Sequence, residues 1–362
     1  MKILFDCRYT RIDQHDGISR YTASLVTELE RLHPVTMLIS DHRQRAMLPD
    51  LPWELISAPT SAREPFVAWQ VNRLEPDVVF TPMQTMGSWG RKYRLAITLH
   101  DLIYYTNRTP PPEFAWPIRV LWRLFHLAWW PQRAILNRAD TVVTVSHTTK
   151  DLIARHSLTR RPVEVVSNAA RATSVTDDPY RATVRTRPDT NRLIYMGSFA
   201  QHKNVETLVR ALAFLPEYEL HMMSRIAPEV RAHLDSLVAD ANIIFHDGVT
   251  DEAYLALLGE STALVTASRD EGFGIPLIEA MAVGTPIVVS DIPIFREIGD
   301  KAGSYANPDD AASFAQAIRD LEKANEWEAR SVASTNRAAE FSWDKSARKL
   351  FDVLCGLYQQ AS

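Results

Sequence analysis

Residues 263–289 read ALVTASRDEGFGIPLIEAMAVGTPIVV, and the punctuation of this stretch points to its architecture. Ala263 to Val265 is a short apolar run of strand character. A glycine-bearing turn, Ser268-Arg269-Asp270-Glu271-Gly272-Phe273-Gly274, follows, and Ile275-Pro276 then opens an apolar helical pattern that stops at Gly284 before a second strand, Ile287 to Val289. Proline suits a first helical turn, where its missing N–H costs nothing, and glycine suits the residue that ends one. Working outward, the same alternation recurs. Ile3 to Phe5, Val35 to Ile39, Val78 to Phe80, Leu95 to Leu99 and Thr141 to Val145 are strand-like in the first half, with a helix from about Ile18 to Leu32. Leu193 to Met196, Glu219 to Met222 and Ile243 to Phe245 are strand-like in the second, with a helix from about Val205 to Leu215. Strands alternating with helices predict parallel sheets covered by helices, here an α/β chain with two doubly wound sheets.

The polar, threonine-rich stretch Ala169 to Asn191, with Pro179 and Pro188, reads as a connection between domains. It predicts a first domain over 1–170, a linker over 171–190, a second domain over 191–342, and a terminal helix over 343–362 that crosses back toward the first domain. Ligands of open α/β sheets sit beyond the carboxyl ends of the strands, so a cleft between the domains is the expected site.

Composition narrows the classes. The chain has 362 residues, enough for two cores at 46% hydrophobic content, and its 40 basic against 44 acidic side chains give a net charge of −4. No global field favours a nucleic-acid partner. Cys7 and Cys355 share no metal-ligand or disulfide spacing, which points to a reducing, cytoplasmic setting. No apolar run approaches the roughly 20 residues of a spanning helix, so a soluble or membrane-associated chain is expected.

The turn before Ile275 carries the chemistry. A loop that leads into a helix start presents unpaired N–H groups and the positive end of the helix dipole, which suit a phosphate. Glu271 and Glu279 are eight positions apart, one at the mouth of the helix and one about a turn into it. On spacing alone, two readings stand level: a pair facing one ligand, or a solvated loop acid beside a first-turn carboxylate.

The run EGFGIPLIEAMAVGTPIVVSD resembles the Glu-x7-Glu motif of the retaining glycosyltransferases of family 4, which have the GT-B fold of two facing Rossmann-like domains with a cleft between them. The resemblance implies that Glu271 lies against the donor sugar, that Glu279 holds the nucleotide ribose, and that the backbone N–H groups of Phe273, Gly274 and Ile275 meet sugar and diphosphate. Tyr195-Met196-Gly197-Ser198-Phe199-Ala200-Gln201-His202-Lys203-Asn204 is similar to the family's diphosphate loop. It assigns Lys203 to the leaving phosphates, with Ser198 and His202 where many relatives carry an arginine. Asp13-Gln14-His15-Asp16-Gly17-Ile18-Ser19-Arg20-Tyr21 resembles the glycine-rich loop of the first domain through Gly17, and a plain helix start capped by Asp16 is the competing reading. His100, at the end of the run Leu95 to Leu99, inherits a place against the donor sugar, and Asn168 parallels an Asn-Gly turn without its glycine.

What the resemblance implies is a metal-independent, retaining hexosyltransferase that takes a nucleotide-diphosphate sugar, GDP-mannose before a UDP-sugar. The expected acceptor is a lipid-linked or saccharide chain in cell-envelope or exopolysaccharide synthesis. A sugar-nucleotide epimerase and an inactive nucleotide- or glycan-binding subunit are the alternatives. The aromatic and basic stretch from Phe114 to Arg133, with four Trp and three Arg, fits either a core helix of the first domain, the reading favoured here, or a helix lying in the cytoplasmic face of a membrane.

Overall fold

A computed structural model describes residues 1–110, 115–171 and 185–360. The chain divides into two compact units: residues 1–168 with 342–362, and residues 169–341. Most of the expected linker, residues 172–184, lies outside the described residues, as does Phe114.

The first unit is built on a seven-stranded sheet: β1 Ile3–Asp6, β2 Val35–Ile39, β3 Trp53–Leu55, β4 Val78–Thr81, β5 Arg94–Leu99, β6 Thr141–Thr144 and β7 Val163–Val165. Its order is β3-β2-β1-β4-β5-β6-β7, and every pairing is parallel, with Phe5 opposite Met37 on one side and Phe80 on the other. The second unit carries β8 Arg192–Tyr195, β9 Glu219–Met222, β10 Ile243–Phe245, β11 Ala263–Thr266, β12 Ile287–Ser290 and β13 Gly303–Ala306, ordered β10-β9-β8-β11-β12-β13 and also parallel throughout. Each sheet is doubly wound, as the alternating pattern predicts.

Central strands such as Ile3–Asp6, Val78–Thr81 and Ala263–Thr266 are buried along their whole length, which is why they read as unbroken apolar runs. In the second unit Leu193, Leu220, Val265 and Val288 pack under Leu208, Leu212, Phe314 and Trp327. Burial of several such side chains, about 1.5–3 kcal/mol each, is what offsets the chain entropy lost in ordering the unit. The sequence pattern misses β3, β7 and β13, edge strands whose residues, Trp-Glu-Leu, Val-Glu-Val and Gly-Ser-Tyr-Ala, are only partly buried and carry no apolar run.

The terminal helix Trp343–Gln359 lies on the helix Gly17–Glu30 of the first unit. Ala347, Leu350, Leu354 and Leu357, spaced three and four apart, form its buried stripe. Trp343 meets the edge of Tyr21 at 5.9 Å, and Ser346 Oγ donates to the Ser167 carbonyl at 2.7 Å.

The expectation of a core helix over 114–133 is corrected. The stretch forms two helices, Trp116–His126 and Trp130–Leu136, and in the first only His126 is buried. Trp116, Leu121, Leu124 and Trp130 are 58–76% exposed. The residues that do pack are a minority: Trp122 and His126 against Tyr104, and Trp129 stacked between Tyr105 and His156 at 3.9 and 4.2 Å. Apolar side chains are more numerous than that one packed side can bury.

Candidate active site

In the second unit the strand order reverses between β8 and β11, so the loops after these two strands diverge and leave a crevice at their carboxyl ends. Ser198, Lys203, Glu271, Phe273 and Gly274 come from these two loops, and Ile275 and Glu279 from the helix that follows the second.

The loop after β11 is shaped by Gly274. It has φ +94° and stands immediately before the helix Ile275–Ala282, with Pro276 in the helix's first turn. A side chain there would be strained, and an added Cβ would sit 3.1 Å from the Phe295 ring. The turn thus brings the helix start close behind Glu271, and the first amides of that helix have no acceptor within it. Phe273, 4% exposed, anchors the turn edge-on against Phe341 at 5.9 Å.

The loop after β8 is tied to this turn by backbone and side-chain bonds. The Arg269 N–H donates to the His202 carbonyl at 2.8 Å. Asn204, buried and left-handed at φ +53°, donates through Nδ2 to the carbonyls of Ala267 at 3.2 Å and Pro308 at 2.6 Å. These bonds hold Lys203 across the crevice from Glu271, and Lys203 Nζ donates to Glu271 Oε1 at 2.6 Å. Ser268 Oγ donates to the same oxygen at 2.9 Å. Both members of the ion pair are largely but not wholly covered, with side chains 18% and 15% exposed. His202 keeps a neutral ring, because burial and the neighbouring Lys203 cation both push its pKa down. Ser198 is exposed in the same loop, its carbonyl accepting from the Tyr195 hydroxyl at 2.5 Å.

Glu279, 4% exposed, lies one turn into the helix, with Arg171 Nη2 at 3.5 Å; the other end of the Arg171 guanidinium pairs with Asp251 at 2.6 Å. The carboxyl ends of β9 and β10 complete the rim. The Gly197 N–H donates to Ser224 Oγ at 3.2 Å, and the Gly248 N–H to the Met223 carbonyl at 3.0 Å. Among the described residues no group of three or more His, Cys, Asp or Glu side chains is placed to hold a metal ion.

Gly17 and His100 belong to the first unit. Gly17 is the first residue of a helix whose cap is Asp16, its Oδ1 accepting from the Ser19 N–H at 2.8 Å, so the capped helix start describes this segment. One turn on, Tyr21 meets the His100 ring edge-on at 5.2 Å. His100 Nε2 lies 2.7 Å from the Pro82 carbonyl and so carries the proton; burial pushes its pKa down, and the neutral ring leaves Nδ1 as a hydrogen-bond acceptor.

Three residues of the site were not assigned roles from sequence. Ser268 and Asn204 are short polar side chains inside recognised motifs, whose burial is visible only once β8 and β11 are neighbours. Arg171 precedes the second sheet and carries no local signal.

Each of the two units is a parallel, doubly wound α/β sheet, and the second carries a cation and a carboxylate facing each other at its switch point. Residues 177–338 match the family profile described as glycosyl transferases group 1, and residues 15–172 match that of glycosyltransferase family 4. The chain belongs to the GT-B glycosyltransferases of the family 4 type. It is 24% identical over 322 residues to the O-antigen chain mannosyltransferase RfbU of Salmonella typhimurium, covering 85% of this chain and 87% of that one. It is 26% identical over 231 residues to the GDP-mannose:cellobiosyl-diphosphopolyprenol alpha-mannosyltransferase of Komagataeibacter xylinus, covering 60% and 56%. Its fold is that of sucrose-phosphate synthase from Thermosynechococcus elongatus, with a TM-score of 0.72 at 18% identity over the full length of both chains.

Proposed function

We propose that this glycosyltransferase moves mannose from GDP-mannose to a lipid-linked or saccharide acceptor of the cell envelope, with retention at the anomeric carbon and without a metal ion. The observation that carries the reading is the Lys203–Glu271 pair at the switch point beside a helix start. A departing diphosphate needs fixed positive charge near its oxygens, which Lys203 and the amides of Phe273, Gly274 and Ile275 supply. Glu271 orients the sugar hydroxyls and stabilises the ring as it becomes oxocarbenium-like, Glu279 takes the ribose hydroxyls, and Ser198 stands beside the diphosphate. In the first unit His100 Nδ1 is the acceptor for a substrate hydroxyl, and Gly17 keeps its place in the capped helix start. The bond from the anomeric carbon to phosphate breaks as the acceptor oxygen bonds on the same face. The acceptor proton passes to the released phosphate oxygen, so no protein base is required.

Mannose is favoured by the names of the two sequence relatives, and a UDP-sugar is the competing donor. A thermal-shift screen of GDP, UDP and ADP with their sugars decides between them, since a ligand that binds only the folded chain raises its melting temperature. GDP and GDP-mannose are expected to give the largest shifts. UDP-glucose outranking them replaces the donor, and no shift with any of the six sinks the reading. Product analysis with and without acceptor separates transfer from epimerisation, and binding without turnover identifies an inactive subunit.

The exposed face of Trp116–His126 supports a peripheral, cytoplasmic-membrane site of action. Between residues 115 and 139 the chain has Arg119, Arg123, Arg133 and Arg138 and no acidic residue, a charge balance suited to anionic lipid. Among the described residues no helix is long and apolar enough to cross a membrane. Replacing Trp116, Leu121 and Trp130 together by Ser is expected to cut co-sedimentation with phosphatidylglycerol vesicles by about tenfold or more. Unchanged binding, or none by the parent chain, removes the membrane from the proposal.

A further inference from the structure

Both hydrogen bonds to Glu271 end on Oε1, from Lys203 Nζ at 2.6 Å and from Ser268 Oγ at 2.9 Å. A carboxylate only accepts, so Ser268 spends its single proton on Glu271. Its oxygen must then accept from the next hydroxyl, Thr266 Oγ1, at 3.1 Å. Ser268 is fully buried and Thr266 is 7% exposed, on the last residue of β11, so this relay is rooted in the sheet. Lys203, by contrast, reaches Oε1 on a flexible four-carbon stem. On the proposed function, the same ammonium is required by the donor diphosphate, and the two demands compete for one group.

We propose that Ser268, held in turn by Thr266, is the positioning residue that keeps Glu271 aimed when Lys203 leaves it for the diphosphate. In the ligand-free chain Lys203 and Ser268 hold Oε1 together. Once the donor enters, the ammonium transfers to phosphate, and the buried relay alone fixes the carboxylate rotamer with Oε2 turned to the sugar. The inference rests on the assignment of Lys203 and Glu271 to the donor, and it adds residues that donate only to the protein.

The test compares Ser268→Ala, Thr266→Val, Glu271→Gln and the double variant Ser268→Ala/Glu271→Gln. It follows release of nucleoside diphosphate from GDP-mannose or UDP-glucose, whichever the thermal screen selects, together with calorimetric binding of GDP or UDP. Ser268→Ala is expected to lower kcat about tenfold or more, the loss of one hydrogen bond to a charged group, with nucleoside diphosphate affinity changed less than about threefold. Thr266→Val, which keeps the shape and removes the donor, is expected to produce a smaller loss of the same kind, and it carries the test if Ser268→Ala does not fold. In the Glu271→Gln background Ser268→Ala is expected to add almost nothing, because its effect runs through the carboxylate. Wild-type kcat in Ser268→Ala overturns the inference, and so does an equal loss in both backgrounds, the mark of a general packing defect. If Glu271→Gln itself turns over normally, the donor assignment fails instead, so the two failures are told apart.

Discussion

Glu271→Ala is expected to lose transfer by a factor of about 10²–10³ while the chain stays folded and still binds nucleoside diphosphate. The loss follows from position: Glu271 faces the crevice where the sugar would sit, and removing one preorganised charge from such a site costs about that factor in kcat. The fold is expected to tolerate the change, because Glu271 lies in the loop after β11, is not part of the apolar core, and bonds only to Lys203 and Ser268 at the crevice. Unpairing Lys203, whose side chain is 18% exposed, and taking the acceptor from the buried Ser268 hydroxyl are expected to cost about 1–3 kcal/mol of stability together. Binding of GDP or UDP without sugar should hold or tighten, since an ammonium no longer engaged by Glu271 is free for phosphate. Thermal unfolding, calorimetry and product formation together check the three parts. Near-normal turnover in Glu271→Ala ends the assignment.

Lys203→Ala is expected to fail in the opposite way. Loss of a charge-assisted bond to phosphate should weaken nucleoside diphosphate binding about 10–100-fold, and loss of the charge that meets the departing oxygens should lower kcat by about a further 10². The wild-type affinity should also weaken as salt rises, and the variant's should do so less, because one ammonium no longer contributes. Calorimetry at two ionic strengths measures both. The contrast between the variants is the informative part: a purely structural ion pair would give the same defect from either side, whereas a donor site weakens nucleotide binding from the Lys203 side alone. Wild-type nucleotide affinity in Lys203→Ala would remove the phosphate role.

The buried central strands were legible because a parallel sheet covered on both faces demands continuous apolar runs, and β1, β4, β11 and β12 are such runs. Gly274 and Gly284 were legible as backbone punctuation, and both have positive φ in the structure, +94° and +73°. Edge strands β3, β7 and β13 were not, since partly exposed residues need no such composition. The exposed face of Trp116–His126 was misjudged because an aromatic-rich helix reads the same whether it faces a core or solvent. Within the site, Glu271, Lys203 and Glu279 were legible through motifs that resemble a known family, whereas spacing alone left a solvated reading level for the two acids and gave Lys203 little signal. Asn204, Ser268 and Arg171 work through partners 63, 3 and 108 positions away: Asn204 on Ala267, Ser268 on Glu271, Arg171 on Glu279. Only the strand order makes the two distant pairings neighbours, so no window of sequence contains them.

The proposed site holds an activated sugar by its diphosphate between Lys203 and the start of the helix Ile275–Ala282. A diffraction structure of the chain with the donor chosen by the thermal screen is the sharpest test of that placement. The expected density places a diphosphate oxygen within hydrogen-bonding distance of Lys203 Nζ, another at the amides of Gly274 and Ile275, and Glu271 released from Lys203 onto the sugar. A bound nucleotide elsewhere, with the Lys203–Glu271 pair intact at 2.6 Å, would contradict it.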